Sequence, residues 1–152
     1  MINRNLRSRL STLVLFAVLS AGSAIAYAQD EKPYTEGSVW SITMIRVKPG
    51  MFEAYMREIL PLRKKVDEEA KKQGLILSSH VLAGNSSGRD DFDVMILEEY
   101  KNWAAFDGLT AKYESILNKL VGSEEKQVQL MTKRTDVREI LGAKNMQEMV
   151  IK

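Results

Sequence analysis

The stretch LILSSHVLAGNSSGRDDFDVMILEEY, residues 75–100, decides the fold of this chain. Apolar residues recur along both of its ends, while the middle, AGNSSGRDD, is rich in Gly, Asn, Ser and Asp. Two extended runs joined by turn-forming residues are typical of an antiparallel hairpin. We therefore expect strands at residues 75–82 and 92–100.

A strand and a helix precede this hairpin. Residues 38–48 alternate apolar and polar side chains with many β-branched and aromatic members, which predicts a strand. Residues 51–73 place their apolar side chains on one stripe and their charges on the other, which predicts an amphipathic helix. Pro61 should kink or split that helix, and Gly74 should end it.

Helical segments and a closing strand follow the hairpin. Asn102 is expected to cap a helix that Gly108 divides. A further helix is expected at about residues 124–136, and a closing strand at 146–151, while the pattern of residues 138–142 fits either a helix or a strand.

This order of elements predicts an α+β domain with the ferredoxin-like split β-α-β arrangement, an antiparallel sheet with helices on one face. The opposite face of the sheet needs cover, because Trp40, Met44, Ile76, Met95 and Leu97 cannot all lie on the helix side. A second copy that packs sheet against sheet would bury these side chains. We therefore expect a homodimer.

The first 28 residues are predicted to be a cleavable signal peptide. Arg4, Arg7 and Arg9 precede an apolar run at residues 10–19, and Ala26-Tyr27-Ala28 fits an A-x-A cleavage site. The apolar run is too short to span a membrane, which takes about 20 residues. The protein is thus expected to be exported, to the periplasm or the medium. Residues 29–37 are expected to form a flexible leader, and residues 38–152 a single domain.

Signal removal changes the charge of the chain. The sequence has 22 Lys and Arg and 20 Asp and Glu, and loss of three arginines leaves 19 against 20, a net charge of −1. A nearly neutral domain lacks the basic surface of a nucleic-acid-binding protein. With no Cys in the chain, disulfides, thiol nucleophiles and Cys-ligated metal sites are excluded. No cofactor, metal site or membrane association of the mature domain is indicated.

These residues resemble the dimeric α/β-barrel superfamily, with similarity to antibiotic-biosynthesis monooxygenase-like and stress-responsive barrel proteins and to exported members of the fold. The resemblance spans most of residues 38–152 and marks turns and packing positions. It is carried by Val47-Lys48-Pro49-Gly50, Leu60-Pro61-Leu62, Gly74-Leu75, Glu99-Tyr100-Lys101-Asn102-Trp103, Arg138-Glu139-Ile140-Leu141-Gly142 and Gln147-Glu148-Met149-Val150-Ile151-Lys152. It implies a homodimeric barrel with a small apolar pocket in each subunit.

His80, the only histidine, is the candidate catalytic residue. Imidazole titrates near neutrality, so His80 could act as a general base or ligate haem. The alternative is a structural histidine at the surface or the dimer interface, which is favoured because no second His or Cys completes a ligand set. By strand alternation, His80 should share a face with Ile76, Ser78 and Leu82.

The candidate pocket residues are aromatic and Met side chains that could contact a small apolar or aromatic ligand. They are Trp40, Tyr55, Met44, Met95 and Trp103. The favoured function is small-molecule binding by an exported protein. One alternative is a cofactor-independent monooxygenase or cyclase that uses His80 with Tyr55 or Trp40, and the other is a haem-binding or haem-handling protein.

Overall fold

One antiparallel sheet organises residues 32–88 and 90–152, which are the residues described by a computed structural model of the chain. Its strands are β1 (Tyr34–Val47), β2 (Ser78–Ala83), β3 (Val94–Tyr100) and β4 (Arg138–Ile151). They lie in the order β2-β3-β1-β4, and each neighbouring pair is antiparallel. β1 and β2 are therefore parallel with β3 between them, an α+β arrangement compatible with the expected ferredoxin-like fold.

The first helical region, between β1 and β2, changes its helix type beside its proline. α1 (Phe52–Ala54) continues into a π-helical turn (Tyr55–Ile59), which leads into α2 (Leu60–Lys72). Pro61 lies in the first turn of α2, where its missing N–H leaves the carbonyl of Arg57 without its usual partner. A wider π turn accommodates such a gap in the helical ladder. The helical turns continue from Phe52 to Lys72, so Pro61 does not split the helix; the irregularity beside it is the change from π-helical to α-helical turns at Leu60.

Two more helices follow β3. A 3₁₀ turn (Trp103–Phe106) precedes α3 (Leu109–Leu120), and α4 (Glu124–Val137) follows. Gly108 separates the turn from α3 with a φ of 65°, a left-handed conformation that other residues rarely adopt. The Asn102 side chain makes no capping hydrogen bond. The predicted cap is therefore wrong, because the segment that Asn102 precedes is a four-residue 3₁₀ turn rather than an α-helix.

The sheet extends beyond two of the predicted boundaries. β1 begins at Tyr34, which pairs with Ile151, so residues 34–37 belong to the sheet rather than to a leader. β4 includes the ambiguous residues 138–142, because the long central strand β1 offers a partner along that whole length. The predicted signal peptide, residues 1–28, lies outside the described residues.

The core lies on the helix side of the sheet and consists of two apolar clusters. The first cluster joins β1 and β3 to the π-helical turn and to the end of α4; its buried residues are Ile45, Val47, Tyr55, Ile59, Val94, Ile96 and Val137. The second cluster joins the other ends of these strands to α2 and α3; its buried residues are Val39, Ala70, Ile76, Tyr100 and Ile116. Ile76 is thus a helix-side core residue. Its predicted place beside His80 is wrong, because β2 begins only at Ser78 and strand alternation does not extend back to it.

The opposite face of the sheet, called here the open face, carries a row of half-buried apolar side chains. Ile42 pairs with Leu97, and Met44 with Met95, while Trp40 lies next in the row. On the outer strands, Leu82 pairs with Met95 and Met146 pairs with Trp40; both are more exposed and extend the apolar surface to all four strands, while Lys144 lies opposite Ile42. No helix in the described residues is long and apolar enough to cross a membrane.

Candidate functional site

A cluster of charged side chains lies between the sheet and the first helical region. Arg63 of α2 donates from Nη2 to Glu98 Oε1 of β3 at 2.8 Å, and its Nε is 3.3 Å from Asp67 Oδ2. Ser79 of β2 donates its hydroxyl to the same Asp67 oxygen at 2.7 Å. The side chains of Arg63, Asp67 and Glu98 are only 22%, 13% and 18% exposed, respectively. This ion network therefore joins the helix to two strands in a largely dehydrated position.

Two tyrosine hydroxyls continue the network inward. Tyr100 donates to Glu98 Oε2 at 3.2 Å, and the buried Tyr113 hydroxyl lies near it without a hydrogen bond of normal geometry in the described residues. Burial and the nearby Glu98 carboxylate raise the pKa of Tyr113 to about 12 and raise the pKa of Tyr100 further. Both phenols are neutral at physiological pH, as an unperturbed tyrosine also is, and the Tyr113 hydroxyl has hydrogen-bonding capacity to offer a ligand.

Two arginines come from the junction of α4 and β4. Arg138 donates from Nη1 to the Tyr55 hydroxyl at 3.3 Å, and its guanidinium carbon lies 5.6 Å from the centroid of that ring. Arg134 is half-buried, and burial together with the charges of Arg138 and Arg63 lowers its pKa. Within residues 32–88 and 90–152, neither arginine forms an ion pair with a carboxylate.

Six of these side chains line an inner cavity of about 170 Å³: those of Arg63, Asp67, Glu98, Tyr113, Arg134 and Arg138. The cavity also borders Ile59 of the first apolar cluster and Val66, which packs against the second. An outer pocket of about 520 Å³ lies beside it, and the two share Arg134 and Arg138. On the other side, a groove of about 520 Å³ between α2 and β2 shares Arg63 and Asp67 with the inner cavity. The inner cavity and the outer pocket together are called here the recess. Its chemistry is that of a binding site with several fixed cations, three carboxylates (Asp67, Glu98 and Glu139) and a neutral phenol.

Four of the candidate residues predicted from the sequence lie on the open face rather than in the recess. Trp40, Met44 and Met95 belong to its apolar row, and the exposed His80 stacks on Trp40 with ring centroids 6.3 Å apart. Of these, Met95 borders a shallow pocket of about 320 Å³ near the hairpin loop. The open face therefore brings together His80, Trp40 and the two methionines, as a surface rather than a cavity.

The other two candidates lie elsewhere. Tyr55 is fully buried on the helix side, under Arg138, so it lies on the opposite side of the sheet from His80 and Trp40. Within the chain, Tyr55 therefore shares no cavity with His80, the residue with which the monooxygenase hypothesis pairs it. Trp103 is half exposed on the 3₁₀ turn, where its indole N–H donates to the Gln147 side chain of β4.

The recess contains residues that the sequence analysis did not single out. Arg63 and Asp67 belong to a run in which three basic residues (63–65) precede three acidic ones (67–69), a pattern that is typical of a solvated helix face with i,i+4 pairs. The only indication in the sequence that this side of the helix is partly buried is that Arg63 and Asp67 are spaced i,i+4 with the apolar Val66 between them. Arg134 and Arg138 gave no such signal, because they belong to different elements.

In the described residues, no group of three His, Cys, Asp or Glu side chains could hold a metal ion.

Comparison with known proteins shows one distant similarity. No family model and no curated protein matches the chain. The crystal structure of HapK from Hahella chejuensis is similar to it at 12% sequence identity and a TM-score of 0.39, covering 72% of this chain and 91% of HapK.

Proposed function

We propose that this protein binds a small molecule in the recess between its sheet and helices. The observation that carries the proposal is a cavity rich in charged groups that borders residues of both apolar clusters of the core. Buried charges and unpaired hydroxyls destabilise a fold unless they are compensated. A recess with apolar walls and a few fixed polar groups is the usual form of a ligand site.

The size of the recess fits a ligand of one or two rings. The outer pocket, at about 520 Å³, falls within the range of roughly 300–1,000 Å³ that is usual for small-molecule sites. Its apolar wall comes from Met131 and Ile140, while Arg134 and Arg138 lie where it meets the inner cavity. An aromatic compound with a polar group at one end matches this distribution.

A blocking substitution tests the position of the site. Thr135 is exposed and lines the outer pocket, so Thr135→Trp should fill the pocket without disturbing the core. Val128 is exposed on the same helix and lines no part of the recess, which makes Val128→Trp the matched control. Thermal-shift screening with one-ring and two-ring aromatic compounds should give stabilising hits for the purified protein and for Val128→Trp, and none for Thr135→Trp. Hits that survive in Thr135→Trp would place the site elsewhere.

We also propose that the protein is a homodimer of the dimeric α/β-barrel type. The open face supports this, since its apolar row spans all four strands and no element of the described chain covers it. The strands on this face are flanked by opposite charges, among them an Arg46–Glu139 ion pair at 2.7 Å, so a second copy would meet an apolar centre with a polar rim. Light scattering at micromolar concentration should give twice the mass of the chain; a monomer would refute the proposal.

Export is the third part of the proposal and rests on the pattern of residues 1–28. Mass spectrometry of the protein from a bacterial host should find Gln29 at its N-terminus, in the periplasm or the medium. Ala28→Asp should block cleavage, because signal peptidase accepts only small side chains there. An intact N-terminus on a cytoplasmic protein would refute export without touching the other two proposals.

A further inference from the structure

The outer pocket has an excess of positive charge. Lys48, Arg134 and Arg138 line it together with a single carboxylate, that of Glu139. Glu139 is already engaged by Arg46, which lies 2.7 Å from it. The pocket thus presents three cations and no carboxylate that is free to neutralise them among the residues the structure describes.

Arg134 is in an unfavourable position for a purely structural residue. It is half-buried beside two other guanidinium groups, those of Arg138 and Arg63, and these charges oppose its own. A cation in the last turn of a helix is favoured by the helix dipole, but a side chain directed to solvent would be favoured equally without desolvation. In the residues that the structure describes, its guanidinium forms no ion pair with a carboxylate. An anion between Arg134 and Arg138 would relieve both the repulsion and the lack of partners.

The rim of the pocket limits what that anion can be. Met131 and Ile140 expose 65% and 55% of their surface at its edge, so the ligand would bring apolar surface as well as charge. From these observations we propose that the outer pocket binds a carboxylate with an apolar body, held at its charged end by Arg134 and Arg138. The inference rests on the proposed small-molecule binding and specifies its ligand class.

Calorimetric titration with two matched probes tests it. Sodium 2-naphthoate carries the charge, and 2-naphthalenemethanol has the same rings with a neutral alcohol. Arg134→Gln removes one cation of the pocket, while Arg57→Gln removes an arginine that is 80% exposed and paired with Glu53 on the outside of the π-helical turn. We expect Arg134→Gln to weaken naphthoate binding about tenfold or more, Arg57→Gln to leave it unchanged, and neither to affect the weaker binding of the alcohol.

A second measurement does not depend on ligand. Because Arg134 is repelled by its neighbours, Arg134→Gln should unfold at a higher urea concentration than the unchanged protein in the absence of any probe. A lower midpoint would overturn the inference, since it would show that Arg134 serves the fold.

The outcomes of the titration separate this inference from the proposed function. Equal binding of both probes, unaltered by Arg134→Gln, would refute the anion site and leave small-molecule binding standing. Equal losses of naphthoate affinity in Arg134→Gln and Arg57→Gln would also refute it, because they would show general attraction rather than a site. If neither probe binds the unchanged protein, both proposals fail.

Discussion

The replacement Arg63→Met probes the ion network that joins the first helical region to the sheet. Methionine keeps most of the length and apolar volume of the arginine stem, so the change removes charge with little loss of packing. It leaves the carboxylates of Asp67 and Glu98 largely buried, each with one hydroxyl donor, from Ser79 and Tyr100 respectively. The loss is therefore dominated by the penalty of leaving two dehydrated carboxylates without a cation.

The size of that penalty follows from the geometry. At an effective dielectric constant of about 20, charges as close as those of Arg63 and Glu98 attract by several kcal/mol, and desolvation offsets much of this. Breaking a fully buried pair costs about 3–5 kcal/mol. The three side chains are 13–22% exposed, and the hydrogen bonds from the Ser79 and Tyr100 hydroxyls remain in the variant. We therefore expect Arg63→Met to lower the free energy of unfolding by about 2–3 kcal/mol.

Urea denaturation followed by circular dichroism measures this loss as a shift of the midpoint at constant slope. Arg57→Met is the matched control, because Arg57 pairs with Glu53 at 3.2 Å in the same i,i+4 arrangement but is 80% exposed. Its expected cost is below about 0.5 kcal/mol. Equal losses in the two variants would refute the conclusion that burial makes the Arg63 network stabilising. A double-mutant cycle with Glu98→Gln should show a coupling of about 1 kcal/mol or more.

Three further predictions concern other parts of the molecule. Because the pKa of Tyr113 is raised to about 12, the unfolded chain loses the phenolic proton at a lower pH than the folded protein does. The stabilising contribution of this group is therefore complete below pH 10 and decreases as the pH rises towards 12. Between pH 8 and pH 11, urea denaturation should show that Tyr113→Phe loses about 1 kcal/mol less of its free energy of unfolding than the unchanged protein does, and equal losses would contradict the assignment. Ile42→Glu, at the centre of the open face, should convert the proposed dimer to monomer in light scattering, whereas Val128→Glu should not; a dimeric Ile42→Glu would place the interface elsewhere. His80→Ala should leave 2-naphthoate affinity within about twofold, because His80 lies on the face opposite the recess, and a larger loss would bring that face into the site.

Local sequence patterns carried enough information to predict most of the elements. Alternation gave β1 and β3, the apolar stripe gave α2, and turn residues gave the hairpin, because each of these signals arises within a few residues of the element itself. Strand ends were less predictable. β1 starts at Tyr34 only because a segment of β4 that is distant in sequence pairs with it. The residues around Tyr34 do not by themselves indicate this pairing.

The recess could not be predicted from the sequence, partly because β4 contains a β-bulge. Met44 pairs with Gly142 but Ile45 pairs with Ile140, so Leu141 is an extra residue in β4. Regular alternation counted back from Gly142 would place Arg138 on the open face. The extra residue moves it to the helix side, where it meets Tyr55. The bulge reverses the alternation of side chains in β4. Only this reversal, together with the packing of α4, makes neighbours of Arg134, Arg138 and Arg63.

The position of β4 also has a consequence for how the chain folds. β1 is a central strand, yet one of its neighbours, β4, is made from the last residues of the chain, and Tyr34 pairs with Ile151 more than a hundred residues away. Closing so long a loop is entropically costly and slows folding. The sheet therefore cannot be completed until residues 138–151 have been synthesised. Until then the chain lacks its folded sheet, and the export proposed above needs an unfolded chain for passage through a translocation channel.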